Sequence, residues 1–393
     1  MEKTCPRIAL LKDIATIERR SIQPQHISTG TIYVGLEHIT GEGEFINVSP
    51  VTNGVLGSSK FIFHEGHILF GKLRPYLKKT ARPNFKGICS TDILPILPSK
   101  KILKDYLFHF LRLPNTVSKV TTMSSGANLP RISPKLLEQL EVPLPPLDEQ
   151  KRIAAILDKA DAIRRKRQQA MELADEFLRA VFLDMFGDPV TNPKGWKTRE
   201  IHEVAAIQGG LSLSGKRKDL EFNKPYLRVA NVYRNTLNLA EVKEISLTQS
   251  EFCRTKLEQG DILIVEGHGN PNEIGRCAVW DASVPDCVHQ NHLIRVRFDS
   301  SAILPYYASY YINSSSGRLQ MLKAGKTTSG LNTISISDVK KTKILVPSME
   351  LQLDFQDIVS NVVSKIQNNF DQAARQTDNL FSSLQIKAFQ GML

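Results

Sequence analysis

Cysteine is scarce in this chain of 393 residues: there are five, an odd number, with no CxxC spacing among them. That excludes a disulfide scaffold and points to a reducing compartment, the cytoplasm. No basic and apolar leader opens the sequence, and no apolar run approaches the roughly 20 residues that span a bilayer, so neither secretion nor membrane insertion is expected. Acidic residues are outnumbered, 40 against 51 Lys and Arg. Nothing in the composition suggests disorder, and the length allows two or three domains with cores of their own.

The chain is organised around residues 144–187, LPPLDEQKRIAAILDKADAIRRKRQQAMELADEFLRAVFLDMFG, which read as one long helix. Pro145 and Pro146 end what precedes, Asp148 and Glu149 place negative charge in the first turn, and Gly187, Asp188 and Pro189 stop it. Ile153, Ile156, Ala160, Ile163, Ala170, Ala174, Phe177 and Val181 fall at steps of three and four, a heptad stripe with Arg167 as its polar member. At about 1.5 Å per residue such a helix outruns one globular domain and calls for a partner. Residues 347–393 supply it. Pro347, Glu350 and Gln352 echo Pro145, Asp148 and Gln150, and Phe381 and Gly391 echo Phe177 and Gly187. The second stripe, through Val359, Val362, Ile366, Ala373, Leu380 and Leu384, is weaker, broken by Asn369 and Gln376. The plainer alternative has each helix packing only on its neighbouring domain.

The formal charge of +11 resolves when the chain is cut at these helices: +8 over residues 1–147, zero over 148–187, +5 over 188–346 and −2 over 347–393. Two basic segments joined by a near-neutral spacer suit a polyanion, of which nucleic acid is the commonest.

The two segments also resemble each other. LLKDIATI (10–17) matches REIHEVAAI (199–207) at an offset of 190, and EGHILF (65–70) matches QGDILI (259–264) at 194. ICSTDILPIL (88–97) matches VHQNHLIRVR (288–297) at 200, with Tyr106 against Tyr306, and SGANLPRIS (125–133) matches SGLNTISIS (329–337) at 204. A slow, one-way drift is what duplication with loop insertions produces. The expected architecture is therefore α/β in the α+β sense, by internal duplication: two similar mixed domains and two long antiparallel coiled-coil helices. Its parts are a first domain at 1–143, a helix at 144–187, a Pro- and Gly-rich linker at 188–195, a second domain at 196–346 and a second helix at 347–393.

Catalytic signatures are incomplete. GLSLSGKR (210–217) has the GxxxxGK of a phosphate loop, but Arg217 stands where Ser or Thr must hold magnesium. NKPY (223–226) and VEGHG (265–269) loosely suggest an amino-methyltransferase, yet about 40 residues between them leave no room for a nucleotide-binding fold. Asp219, Glu241 and Lys243 fit a nuclease only by letters. Cys277, Cys287, His289 and His292 match no compact zinc spacing, and core cysteines with capping histidines are the better reading.

The better candidates bind rather than react. Lys72, Arg74, Tyr76, Lys78 and Lys79 directly follow a strand, and Ser124, Ser125, Asn128 and Arg131 form a second loop. In the other half the sets are His268, Asn270, Asn272, Glu273 and Arg276 with Gln290 and Asn291, and Lys326, Thr327, Thr328 and Asn332. Arg suits guanine, Asn and Gln suit adenine, and Lys neutralises phosphate. The run Arg164 to Arg167 is expected to be a solvated, ion-paired helix face, with DNA or protein contact as the second reading.

The PLPPLDEQ helix start with its second copy, GHILFGKLRPYLKK and GICSTDILPIL in the first half, and GDILIVEGHGNPNEIGR, VHQNHLIRVRF and TTSGLNTISI in the second, resemble a specificity subunit of a type I restriction-modification system. The resemblance covers essentially the whole chain. It implies two target-recognition domains, each reading one part of a bipartite site in double-stranded DNA, with the helices holding them apart. It also implies methyltransferase subunits docked on the helices, a translocase and endonuclease subunit beside them, and no catalytic residue, metal or cofactor on this chain. S-adenosylmethionine, ATP and Mg2+ are then expected on the partner subunits. The alternatives are a self-sufficient DNA methyltransferase or nuclease, and a sequence-indifferent architectural DNA binder.

Overall fold

The computed structural model describes residues 7–52, 56–126, 128–213, 217, 220, 222–328, 331–365 and 389, with only the backbone of 326–328 and 331. It divides into two units, one of residues 1–168 and 370–393 and the other of residues 169–369.

Each unit repeats the same frame. In the first, a four-stranded sheet runs in the order Ala15–Ile17, Ile93–Pro98, Ile68–Gly71, Thr80–Ala81; in the second the order is Ala205–Gly209, Leu293–Phe298, Ile262–Val265, Cys277–Val279. The central strands ILFG and ILIV are buried at all four positions, as continuous apolar runs in a covered sheet should be. Registers agree as well: Ile96 faces Ile17 and Ile68, while Val296 faces Ile207 and Ile262. These pairings reproduce the offsets of 190, 194 and 200. A second sheet carries a parallel pair in both units, Tyr33 with Ile88 and Tyr226 with Val288.

The offset of 204 is corrected. Ser133 caps the helix Pro134–Leu137 and Ser335 caps Ile336–Lys341, accepting from the N–H of Leu136 and of Asp338 at 3.2 Å each, and this equivalence is 202 residues apart. The shared SGxN letters had suggested two more. Tyr106 likewise corresponds to Tyr307 and not to Tyr306, because its hydroxyl donates to the carbonyl of Pro143 as that of Tyr307 donates to Leu345, both at 2.9 Å.

The long helix runs from Leu147 to Phe186. Its start is locked by Gln150, fully buried, whose Oε1 accepts from the N–H of Leu103 while Nε2 donates to the carbonyls of Lys101 and Pro145. Gln352 repeats this with Leu304, Ala302 and Pro347 at the start of the helix over 349–365. At the far end Gly187 takes φ +79°, where a side chain is disfavoured, and its N–H closes on Leu183.

In the first unit the opening turns of the long helix, Ile153, Ala154 and Leu157, share a core with the helical residue Phe389. In the second, its closing turns, Leu178, Phe182 and Phe186, share a core with Phe355 and Val359. In the second unit the end of the long helix thus meets the start of the helix over 349–365. The stripe itself needs correction: Ile163 and Phe177 are 46% and 53% exposed, and the closing turns bury Leu178, Phe182 and Phe186 instead. A straight helix drifts roughly 20° per heptad against a seven-residue repeat, so over three heptads the buried face moves by most of a residue. Ile366, Asn369, Ala373, Gln376, Leu380, Phe381, Leu384 and Gly391 lie outside the described residues.

Candidate nucleic-acid interface

Where the buried strand Ile68–Gly71 leaves its sheet, three segments converge. The N–H of Lys72 donates to the carbonyl of Asp92, its own carbonyl accepts from Ile132, and the N–H of Arg74 donates to Pro130 at 2.7 Å. Leu73 and Ser125 both bridge to Arg131. The side chains meet as well: Lys72 Nζ is 3.7 Å and Arg131 Nε 3.4 Å from Asp92 Oδ1. Lys72, Arg74, Ser125 and Arg131 thus form one cluster, with Asn128 exposed beside it.

Arg74 and Lys78 bracket the short turn Pro75–Leu77, both left-handed at φ 51° and 55°. Such backbone is costly for residues with a Cβ, and it holds both side chains exposed, with no ion pair or side-chain hydrogen bond among the described residues. Tyr76, half exposed, lies between them.

The second unit builds the same junction from different chemistry. The N–H of Glu266 donates to the carbonyl of His292, its carbonyl accepts from Ile334, and Gly267 and His268 pair with Thr333 and Asn332. Lys326, Thr327 and Thr328 form the adjoining strand, Lys326 facing Thr333 and Thr327 facing Asn332; their side chains lie outside the described residues. Glu266 stands where Lys72 does and His292 where Asp92 does, and they too are 3.7 Å apart. The pair is kept and its polarity reversed. Burial raises the Glu266 carboxyl above the ordinary range, with His292 pulling the other way. Gln290 and Asn291 lie half-buried in the turn leading to His292, bound through their backbones to Leu227 and Leu211.

Other candidates are engaged in bonds within the fold. Lys79 donates to the carbonyl of Leu36 at 2.6 Å. Arg276, buried, donates to Glu273 at 2.9 Å and to the carbonyl of Val229 at 3.1 Å, and stacks over Tyr233. Neither is presented as a free donor. Asn270 caps the turn Pro271–Glu273 by accepting from the N–H of Asn272, whose carbonyl takes Arg234 and Arg318. Ser124, just past the helix Pro114–Thr122, donates to the carbonyl of Val120. Sequence reasoning did not single out Asp92 or Glu266, although the offsets of 200 and 194 already set Asp92 against His292 and Lys72 against Glu266.

The basic run on the long helix is not simply solvated. Arg164 and Arg165 pair with Asp161 and reach Glu42 and Glu44 in the 40–45 turn. Nearby, Arg82 and the buried His109 converge on Asp158 at 2.8 and 2.9 Å. Burial alone would raise the Asp158 carboxyl, but these two bonds hold it well below the usual range.

A family model described as the type I restriction modification DNA specificity domain matches residues 9–173 and again residues 193–374. The chain belongs to this family. Two copies of its domain coincide with the two repeated frames. The chain is 28% identical over 319 residues to the EcoKI specificity subunit of Escherichia coli (strain K12), covering 75% of this chain and 67% of that protein. To the StySPI specificity subunit of Salmonella potsdam it is 26% identical over 311 residues, with the same shares. The fold is also that of the type I restriction-modification S subunit from M. genitalium, with a TM-score of 0.57 at 14% identity over 98% of this chain and 96% of that one. A chain from a study of complex assembly and conformational transition in the type I system gives 0.50 at 21% identity, over 99% and 98%.

A specificity subunit is the non-catalytic part of its enzyme, and the described residues of the partial motifs take ordinary structural places. Tyr226 of NKPY is buried in a strand paired on both sides. Glu241 pairs with Arg228 and Lys243, and Asp219 lies outside the described residues, as do Ser214 to Lys216 of the glycine loop. Cys277 and Cys287 are buried thiols pushed up to about 12 by desolvation, and His289 is buried against the carbonyls of Thr255 and Gln208. Among the described residues no helix is long and apolar enough to cross a membrane.

Proposed function

We propose that this DNA specificity subunit reads a bipartite site in double-stranded DNA, one half with each junction. Lys72, Arg74, Ser125, Asn128 and Arg131, held by Asp92, read the first half-site. His268, Asn332, Gln290 and Asn291 with Lys326, Thr327 and Thr328, around Glu266, read the second. The recognition domains span residues 1–143 and 196–346. One observation carries this reading: an identical backbone junction, duplicated, presents opposite charge patterns. Lys72 and Arg74 are donors suited to guanine or phosphate, whereas a carboxylate such as Glu266 repels phosphate and accepts from the exocyclic amine of cytosine or adenine. Conserving the frame while exchanging the side chains suits two different half-sites.

The two long helices set the separation and offer the docking surface for methyltransferase subunits, to which a translocase and endonuclease subunit adds. S-adenosylmethionine, ATP and Mg2+ act on those subunits, in the cytoplasm. The test is selection of bound duplexes from a randomised library, with the chain assembled with its methyltransferase partner. Two short conserved blocks at fixed spacing are expected; a single block, or no consensus at fixed salt, overturns the proposal.

A further inference from the structure

Away from the junctions, the first unit gathers Glu18, His64 and His67 so that one donor atom from each lies within 4.8 Å of the others. Glu18 follows the strand Ala15–Ile17, and the two histidines close the turn before Ile68–Gly71. His67 is 1% exposed, with Nε2 3.0 Å from Glu18 Oε2; Glu18 is half-buried and His64 exposed.

The repeat shows what this corner does. In the second unit the same turn is Glu258 to Asp261, with the same bonds: the N–H of Asp261 donates to the carbonyl of Glu258, and the N–H of Glu258 to Asp261 Oδ2. His67 copies both, donating its N–H to His64 and accepting the His64 N–H at Nδ1, 3.1 Å away. In the second unit a cation closes the corner: Arg297 lies 2.7 Å from both Asp261 and Glu258. Its counterpart in the first unit is Leu97, since Leu97 faces Thr16 as Arg297 faces Ala206. The guanidinium is gone, and two imidazoles and a carboxylate stand around its place.

We infer that Glu18, His64 and His67 bind a divalent transition-metal ion of the zinc type, which cross-links the strand end to the turn as Arg297 does in the second unit. Two imidazoles and one carboxylate are a recurrent zinc set, with water completing the tetrahedron. Bonds of about 2.0 to 2.2 Å bring tetrahedral donors to about 3.4 Å apart, which rotation of exposed His64 and half-buried Glu18 achieves. His67 is suited to the ligand state. Burial holds its imidazole toward the neutral form, and moving the proton from Nε2 to Nδ1 exchanges the bond accepted from the His64 N–H for one donated to the His64 carbonyl, 3.3 Å away, which frees the Nε2 lone pair for the metal.

The test uses the full chain after chelation, titrated with Co2+ under visible spectroscopy and then displaced with Zn2+, alongside thermal unfolding with and without Zn2+. One Co2+ per chain with tetrahedral d–d absorption, and a higher melting temperature in Zn2+, are expected. The Glu18→Gln/His64→Gln variant should bind at least tenfold more weakly and lose the melting shift, while melting as the wild type does without metal. Binding that is absent in the wild type, or equal in the variant, overturns the inference.

Discussion

Lys79 and Arg276 stand at the same point of the repeated frame: Lys79 donates to the carbonyl of Leu36 at 2.6 Å and Arg276 to that of Val229 at 3.1 Å. Each cation lies one residue before the outer strand of its sheet, Thr80–Ala81 or Cys277–Val279. Two residues that look like DNA ligands in the sequence are therefore braces. Arg276→Ala should destabilise the second unit by about 3 kcal/mol, because Glu273 loses a buried partner and the Val229 carbonyl a donor. Lys79→Ala should cost about 1 kcal/mol. Urea unfolding measures both, and the DNA sequence preference of either variant should stay that of the wild type.

The buried amides give a matched pair of tests. Gln150 and Gln352 each satisfy one N–H and two carbonyls where a helix meets its domain. Alanine at either position should cost about 3 kcal/mol, as buried polar groups lose their partners. Hydrogen exchange should show the loss in the first unit for Gln150→Ala and in the second for Gln352→Ala.

Much of this frame was legible. Strands keep their spacing in a duplication because their hydrogen-bond ladders tolerate no insertion, so the offsets of 190, 194 and 200 hold residue for residue. Loops keep letters without keeping positions, which is why SGAN against SGLN misplaced the last offset. The site was harder. Arg74 and Lys78 stand out as basic residues after a strand, but the carbonyls that Lys79 and Arg276 bond lie 43 and 47 residues away in sequence. Glu18, His64 and His67 escaped for the same reason, since only the fold brings the strand end to the turn.

Stability should also depend on pH through His289. It is fully buried, and desolvation pushes its pKa down to about 4 from the ordinary 6.5. Between those values the unfolded chain holds a proton that the folded chain does not, so stability is full above pH 6.5 and falls as the pH drops toward 4. The whole loss is about 3 kcal/mol, at 1.36 kcal/mol per pH unit. Unfolding curves at pH 7, 6, 5 and 4 should show this slope in the second unit, and His289→Gln should flatten it.

The central claim is that each junction reads its own half-site, and two substitutions on one randomised library test it directly. Arg74→Ala and Glu266→Gln are introduced separately into the chain assembled with its methyltransferase partner, and the bound consensus is determined for each. Arg74→Ala should relax the first block by about 1 to 3 kcal/mol and leave the second intact, and Glu266→Gln should do the reverse. Weakening that is uniform over all sequences, or a change in both blocks from either substitution, would contradict the account.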